Sequence, residues 1–279
     1  MQFIEKSKVD ECSLCPICSG ESDIIDIVKT INPDAMDNCN LRRCHNCSHW
    51  WIDPMPRQQY LSHLYADNSE FVVNKGYAEE QVEKEVNYKS IEDYFTKITH
   101  AMKQLDNFNY LEVGSGNGHL LNYMSRKANL CYGVEPGCWK KANSRANVVS
   151  DINDIPKGIF FDLIMIQDVL EHLADPIHML TKLRSMANDD CLITGGFPNS
   201  ESPQAQQLKG KWAMVRPLGH LHFFSSDSVI KALNKSNWRI ISLRNCSAPH
   251  LADEWINKDQ WSFQARSAGG LFEVSHFRS

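Results

Sequence analysis

The chain has 279 residues, 42% hydrophobic and 23% charged, enough apolar material for one large domain or two smaller ones. Its net charge of −5 supplies no overall basic field, which counts against a broad nucleic-acid surface, though not against a local patch. No apolar run approaches the ~18 residues that span a bilayer. The longest, residues 159–166, carries Asp162, and residues 1–10 lack the apolar core of a secretion signal.

Ten cysteines would suit a secreted, disulfide-bonded protein, but here the N-terminal ones come as spaced pairs. Cys15-Pro-Ile-Cys18 and Cys44-His-Asn-Cys47 are two C-x-x-C turns separated by 25 residues. Together they offer four thiolates to one tetrahedral zinc ion, with no open position for chemistry. Small residues after each pair, Gly20 and Ser48, leave room for backbone amides to turn toward the sulfurs. Residues 12 to about 55 therefore read as a zinc ribbon in a reducing, cytoplasmic protein. A Cys12/Cys15 register is the alternative, disfavoured by Pro16 in the Cys15 turn. Cys39, His45 and His49 are spare donors read as surface or core residues, and Cys131, Cys138, Cys191 and Cys246 as core.

Residues 50–56, Trp-Trp-Ile-Asp-Pro-Met-Pro, read as the end of the ribbon and a linker stiffened by its prolines. Apolar residues at helical spacing then predict helix up to about residue 105, among them Ile91, Tyr94, Ile98 and Leu105. The predicted division is a ribbon at 1–56, a helical lid or linker at 57–105 and a third domain at 106–279.

The third domain opens on Tyr110-Leu-Glu-Val-Gly-Ser-Gly-Asn-Gly-His119. An apolar run ends in an acid, Glu112, and glycines follow at 114, 116 and 118, the pattern of a strand entering a tight turn before a helix. A second apolar run, 130–134, ends in Glu135, placed to accept hydrogen bonds from a ribose diol. The dinucleotide fingerprint would need a third glycine at position 119, which is histidine. A pyrophosphate would also be repelled by Glu112, whereas a cationic amino-acid end would be welcomed there.

On these residues the chain resembles the class I S-adenosylmethionine-dependent methyltransferases. Glu112-Val-Gly-Ser-Gly-Asn-Gly118 matches their first motif and Gly133-Val-Glu135 their second. Residues 160–176, Phe-Phe-Asp-Leu-Ile-Met-Ile-Gln-Asp-Val-Leu-Glu-His-Leu-Ala-Asp-Pro, look like their fourth, F-D-x-I-x-x-x-x-V-L-E-H-x-x-D-P. Strands are expected at 109–113, 130–134, 161–166, 191–196 and 238–245, with a short third strand at 148–150. Helices are expected near 117–127, 138–145, 175–187 and 226–236. This alternation argues for a doubly wound parallel sheet. The resemblance implies a seven-stranded Rossmann-like sheet whose last strand would come from residues 270–277. It also implies that the helices before the first strand cover the cofactor, with Tyr60, Tyr65, Tyr77 and Tyr88 as candidates for that lid or for ordinary helix packing.

The resemblance further implies roles. Glu112, Gly114, Ser115, Gly116 and Gly118 hold the methionine end of S-adenosylmethionine, and Glu135 its ribose. Pro136 shapes the adenine wall, Asp151 and Ile152 reach the adenine, and Gln167 and Asp168 lie near the sulfonium. His172 is the first candidate for a proton acceptor, since an imidazole titrates near neutrality, with packing against the strand ends as the alternative. His220 and His222 in Gly219-His-Leu-His-Phe-Phe-Ser225 are further candidates, and either could equally cap or pack. Trp212 and Arg216 fall in an expected substrate loop, 198–219. The expected activity is methylation, O-methylation first, of a saccharide or small biosynthetic intermediate, with structural zinc in the ribbon. An RNA methyltransferase is the alternative, disfavoured by the acidic balance and by Arg42-Arg43 being the ribbon's only adjacent basic pair. A non-catalytic scaffold and an NAD-dependent oxidoreductase are disfavoured by the intact glycine motif and by Glu112 with His119.

Overall fold

The computed structural model describes residues 9–29, 38–64, 107–137, 145–217, 219–246 and 260–267. The expected helix at 138–145, nearly all of the expected lid with three of its four tyrosines, the expected strand at 270–277 and Cys138 lie outside these residues.

Among the described residues one seven-stranded sheet organises the chain. Its strands are β6 (Asn109–Val113), β7 (Leu130–Val134), β8 (Asn147–Val149), β9 (Phe161–Gln167), β10 (Ala187–Pro198), β12 (Trp238–Cys246) and β13 (Gln260–Ser267). The order across it is β12-β13-β10-β9-β6-β7-β8. The five strands from β8 to β10 are parallel, and β13 runs antiparallel to both of its neighbours. Parallel strands buried on both faces need continuous apolar runs, which is what Leu163, Ile164, Met165 and Ile166 of β9 supply, each at most 1% exposed. This is the Rossmann-like seven-stranded sheet expected from the sequence.

The last described strand, β13, has no counterpart among the expected strands. It is inserted between β10 and β12. Its burial alternates, with Phe263, Ala265 and Ser267 inside and Gln264 and Arg266 between them, but a serine at an inward position leaves the pattern weak in sequence.

The N-terminal part is a second sheet of four strands, in the order β11-β4-β3-β2: β2 (Ser22–Lys29), β3 (Asn38–Cys44), β4 (Trp50–Asp53) and β11 (His222–Phe223). A further two-stranded pairing joins β1 (Val9–Asp10) to β5 (Met55–Pro56), after which α1 (Gln58–Leu64) begins the predicted helical segment. Residues 50–53 do end the ribbon, but as packed strand and not as linker. They form β4, whose Trp50, Trp51 and Ile52 are at most 2% exposed. Nor is the ribbon a self-contained sheet, because β11, more than 160 residues later, pairs with β4 through His222 opposite Trp51 and Phe223 opposite Trp50.

The two sheets share a core. Ile17, Cys44, Trp51 and Met55 belong to the same buried cluster as Leu111, Ile164, Phe224 and Trp238. Helix α5 (Ser226–Lys235) lies against the cysteine turns: Lys231 donates to the Asn46 carbonyl at 3.0 Å and Lys235 to the Ile17 carbonyl at 2.6 Å. Ser225, which caps α5, also donates to the Cys47 carbonyl.

The expected substrate loop packs likewise. It holds α4 (Pro203–Leu208), and Trp212, 1% exposed, buries with Trp50, Leu41 and Phe223. Trp212 is therefore a core residue, packed between the loop and the four-stranded sheet. The remaining described helices, α2 (His119–Met124) and α3 (Pro176–Ser185), follow β6 and β9. No described helix is long and apolar enough to cross a membrane.

Candidate active site and cysteine cluster

Strand β6 lies between β7 and β9, the point where the strand order reverses. In an open parallel sheet ligands bind beyond the C-terminal strand ends at such a reversal. The candidate cofactor residues converge there: Glu112 and the glycine turn after β6, Glu135 after β7, Asp151 after β8, and Gln167 and Asp168 at the end of β9.

The turn after β6 has positive φ at each glycine, +74° at Gly114, +51° at Gly116 and +75° at Gly118. At Gly114 the constraint is doubled. A methyl group there would stand 2.4 Å from Val169 Cγ2, so the first and fourth motifs touch at this point. Gly114→Ala is expected to lower the thermal midpoint by several degrees through both strain and clash. A melt unchanged from the parent would contradict this.

Glu135, 4% exposed, is held from both sides. Its Oε2 accepts from the Gly116 amide at 2.7 Å and its Oε1 from the Gly137 amide at 2.8 Å. It staples the glycine turn to the start of the next loop, a role its position in sequence did not reveal.

Glu112 is 7% exposed, and its Oε2 accepts from the Tyr110 hydroxyl at 3.1 Å. Burial pushes its carboxyl up to about 8, with the Tyr110 bond opposing and the Glu135 charge adding to the rise. Among the described residues no basic side chain forms an ion pair with it.

The other candidates are placed as follows. Ser115 is buried and Pro136 exposed. Asp151 is exposed and turns its carboxylate onto its own loop, accepting from the Asn153 amide at 2.7 Å, while Ile152 is buried. Gln167 is half-buried, and Asp168 accepts from Gln260 at 3.3 Å.

The three histidine candidates separate. His172 and His220 come together with ring centroids 4.7 Å apart, edge to face. Each engages a backbone carbonyl through Nδ1: His172 the Gly219 oxygen at 2.7 Å, His220 the Met214 oxygen at 2.8 Å. Burial lowers His172 to about 4, the Gly219 bond opposing and Arg216 assisting. It is therefore neutral at physiological pH. Glu171 beside it is 1% exposed, and burial, then the Asp168 charge, holds its carboxyl well above the usual range.

His222 goes elsewhere. It is fully buried between the two sheets, 3.0 Å from His49 Nε2, and it offers no open face to a substrate. His49, read as a spare donor, is its partner and also lies 3.3 Å from Ser228 Oγ.

Cys15, Cys18, Cys44 and Cys47 converge, with sulfur separations of 3.6, 3.4 and 3.5 Å for three of their pairs. A tetrahedral zinc with ~2.3 Å bonds sets its sulfurs ~3.8 Å apart, so the set fits that ion. The two turns are built alike. Ser19 and Ser48 take positive φ, their amides bond the Cys15 and Cys44 carbonyls, and the Asn46 amide reaches Cys44 Sγ at 3.3 Å. Cys12 stands outside the set, donating from Sγ to the Leu14 carbonyl.

A family model described as a methyltransferase domain matches residues 78–243, more than half of the chain. The chain belongs to this methyltransferase-domain family. Its seven-stranded sheet and glycine turn are those of the S-adenosylmethionine-dependent class. Among solved structures, the [4+2]-cyclase SpnF is similar at 12% identity and a TM-score of 0.50, covering 67% of this chain and 85% of that one. Magnesium protoporphyrin IX methyltransferase from Synechocystis PCC 6803, with bound SAH, is similar at 15% identity, TM-score 0.49, covering 76% and 98%. An S-adenosylmethionine-dependent methyltransferase from Clostridium acetobutylicum is similar at 12%, TM-score 0.48, covering 72% and 98%. No curated protein matches the chain. A likeness at this level concerns the fold alone, and a cyclase among the similar structures illustrates that fold does not fix chemistry.

Proposed function

We propose that this methyltransferase carries the methyl group of S-adenosylmethionine to an oxygen of a saccharide or small biosynthetic intermediate, and that the four cysteines hold structural zinc. The observation that carries the cofactor reading is Glu112, a buried acid at the sheet's reversal point with no cationic partner among the described residues. The ammonium of a bound amino acid would supply that partner. Bound there, the cofactor would supply an activated methyl on a sulfonium for in-line displacement.

The chain's own groups divide the remaining work. The Gly114–Gly118 turn lets a ligand approach the main chain. Glu135 keeps lone pairs for ribose hydroxyls beyond the two amides it binds, and Pro136 flanks the adenine. Asp151 and Ile152 close the adenine end, while Gln167 and Asp168 face the sulfonium end. His172 and His220, neighbours at the same sheet edge, are the groups placed to receive or orient the acceptor. Arg216, bonded to the Ala213 carbonyl in the loop before His220, favours an acceptor bearing negative charge.

Calorimetry with S-adenosylhomocysteine, followed by an acceptor screen with labelled methyl donor, tests this directly. For Glu135→Ala, affinity should fall about tenfold to a hundredfold, the worth of hydrogen bonds to a charged group. Far-UV circular dichroism should stay unchanged, because the sheet does not depend on this side chain. An unaltered dissociation constant would refute the ribose assignment.

A further inference from the structure

The loop before β11 returns to the turn at residues 170–172, and the Leu221 amide donates to the Glu171 carbonyl at 2.7 Å. This contact brings three donors to one place. A carboxylate oxygen of Glu171 and one ring nitrogen from each of His172 and His220 lie within 4.8 Å of one another. His172 Nε2 stands 3.9 Å from Glu171 Oε1.

Two features distinguish this group from an ordinary packed cluster. The first is Glu171, 1% exposed, whose buried Oε2 has no hydrogen-bond partner among the described residues. A carboxylate oxygen in that position costs free energy unless something positive meets it. The second is the pair of imidazoles. Each is oriented by an Nδ1 bond to a main-chain carbonyl, the arrangement that stands behind metal-bound histidines. His172 keeps 28% of its side-chain surface exposed, so the cluster opens on one side.

We propose that Glu171, His172 and His220 bind one divalent transition-metal ion, distinct from the ion of the four cysteines, and that its remaining coordination positions take an oxygen of the methyl acceptor. Two imidazoles and a carboxylate suit Mn²⁺, Fe²⁺, Co²⁺ or Zn²⁺ and leave positions open. Donors bonded at ~2.1 Å stand ~3 Å apart, so the ion draws the three inward. A metal there would sit beside Asp168 at the end of β9, on the edge of the sheet that carries the cofactor residues. The acceptor part of the proposal rests on the methyl-transfer reading, whereas the ion site stands on its own geometry.

The test uses the full chain with its cysteine-bound ion in place and titrates it with Mn²⁺, which thiolates bind poorly. Bound ion is read from loss of the free-ion electron paramagnetic resonance signal. One Mn²⁺ per chain is expected, and both Glu171→Gln and His220→Gln should weaken binding by about tenfold or more. Glu171→Gln keeps the size and shape of the side chain, so its thermal midpoint without Mn²⁺ should equal the parent's, and an equal midpoint excludes unfolding as the cause of lost binding. Absence of Mn²⁺ uptake, or uptake undiminished in both variants, overturns the site. S-adenosylhomocysteine calorimetry on the same samples separates the two readings. Nucleoside binding without Mn²⁺ uptake sinks only the metal site, and Mn²⁺ uptake without nucleoside binding supports the site while sinking the methyl-transfer reading.

Discussion

Cys44→Ser should unfold the methyltransferase sheet together with the ribbon. The sequence presents residues 1–56 as a separable domain, from which loss of metal would leave the larger sheet standing. The structure joins them. Cys15, Cys44, Cys47 and Trp51 share one apolar cluster with Leu111, Ile164 and Phe224. Strand β4 takes its outer partner from β11, and the Ile52 amide bonds the Leu221 carbonyl at 3.0 Å. The Trp51 indole donates to the Cys12 carbonyl at 2.8 Å, so the same side chain ties down the segment leading into the first cysteine turn. Structural zinc contributes an apparent ~10–16 kcal/mol in isolated finger peptides, against a total stability of ~5–15 kcal/mol for a domain. Losing even half of it is enough to unfold a cooperative unit. We expect one thermal transition in the parent, and in the variant both loss of the metal by elemental analysis and loss of most far-UV signal. A variant that keeps one zinc equivalent would show the ligand set to be wrong. One that loses zinc yet retains the sheet's transition would show that the two sheets fold separately.

Some elements of the chain are legible in its sequence and others are not. Parallel strands β6, β7 and β9 were legible because burial on both faces demands unbroken apolar runs, and a glycine turn ends the first of them. The cysteine set was legible because two C-x-x-C turns carry their own geometry. Strand β13 was not, since its alternation rests on few apolar side chains, Phe263 and Ala265 among them, and its partner β10 lies far back in sequence. The same holds for β11. Two residues, His222 and Phe223, carry no periodicity, and only the pairing with Trp50 and Trp51 makes them a strand. Within the candidate site, the acids and glycines stand out in sequence because each lies at or just past the end of a strand. That His172 and His220 meet while His222 turns away to His49 depends on one loop's path, which local pattern does not encode.

Glu112→Gln should stabilise the ligand-free protein and weaken cofactor binding at once. Burial raises the folded Glu112 carboxyl to about 8, against 4.5 for an ordinary glutamate. Below the unfolded value both states carry the proton and the acid costs nothing. As pH rises from there to the folded value, the unfolded chain ionises while the folded one keeps its proton, so stability falls through that window and levels off above it. The loss is about 5 kcal/mol, spread over the interval. The amide cannot ionise, so the variant's stability should change less with pH, and its ligand-free thermal midpoint near pH 8 should exceed the parent's. Binding runs the other way. An ammonium beside Glu112 favours the carboxylate, so the parent's affinity for S-adenosylhomocysteine should climb from about pH 6 to about pH 8, with a proton released on binding. In the glutamine variant affinity should be lower by about tenfold to a hundredfold and nearly flat over the same range. Calorimetry in buffers of different ionisation enthalpy would count the released proton. Equal affinity in parent and variant, or no proton release by the parent near neutral pH, would mean that Glu112 does not meet the cationic end of the ligand. The signature is the pair of opposite changes, because a residue serving only to hold β6 in place would lower stability and affinity together.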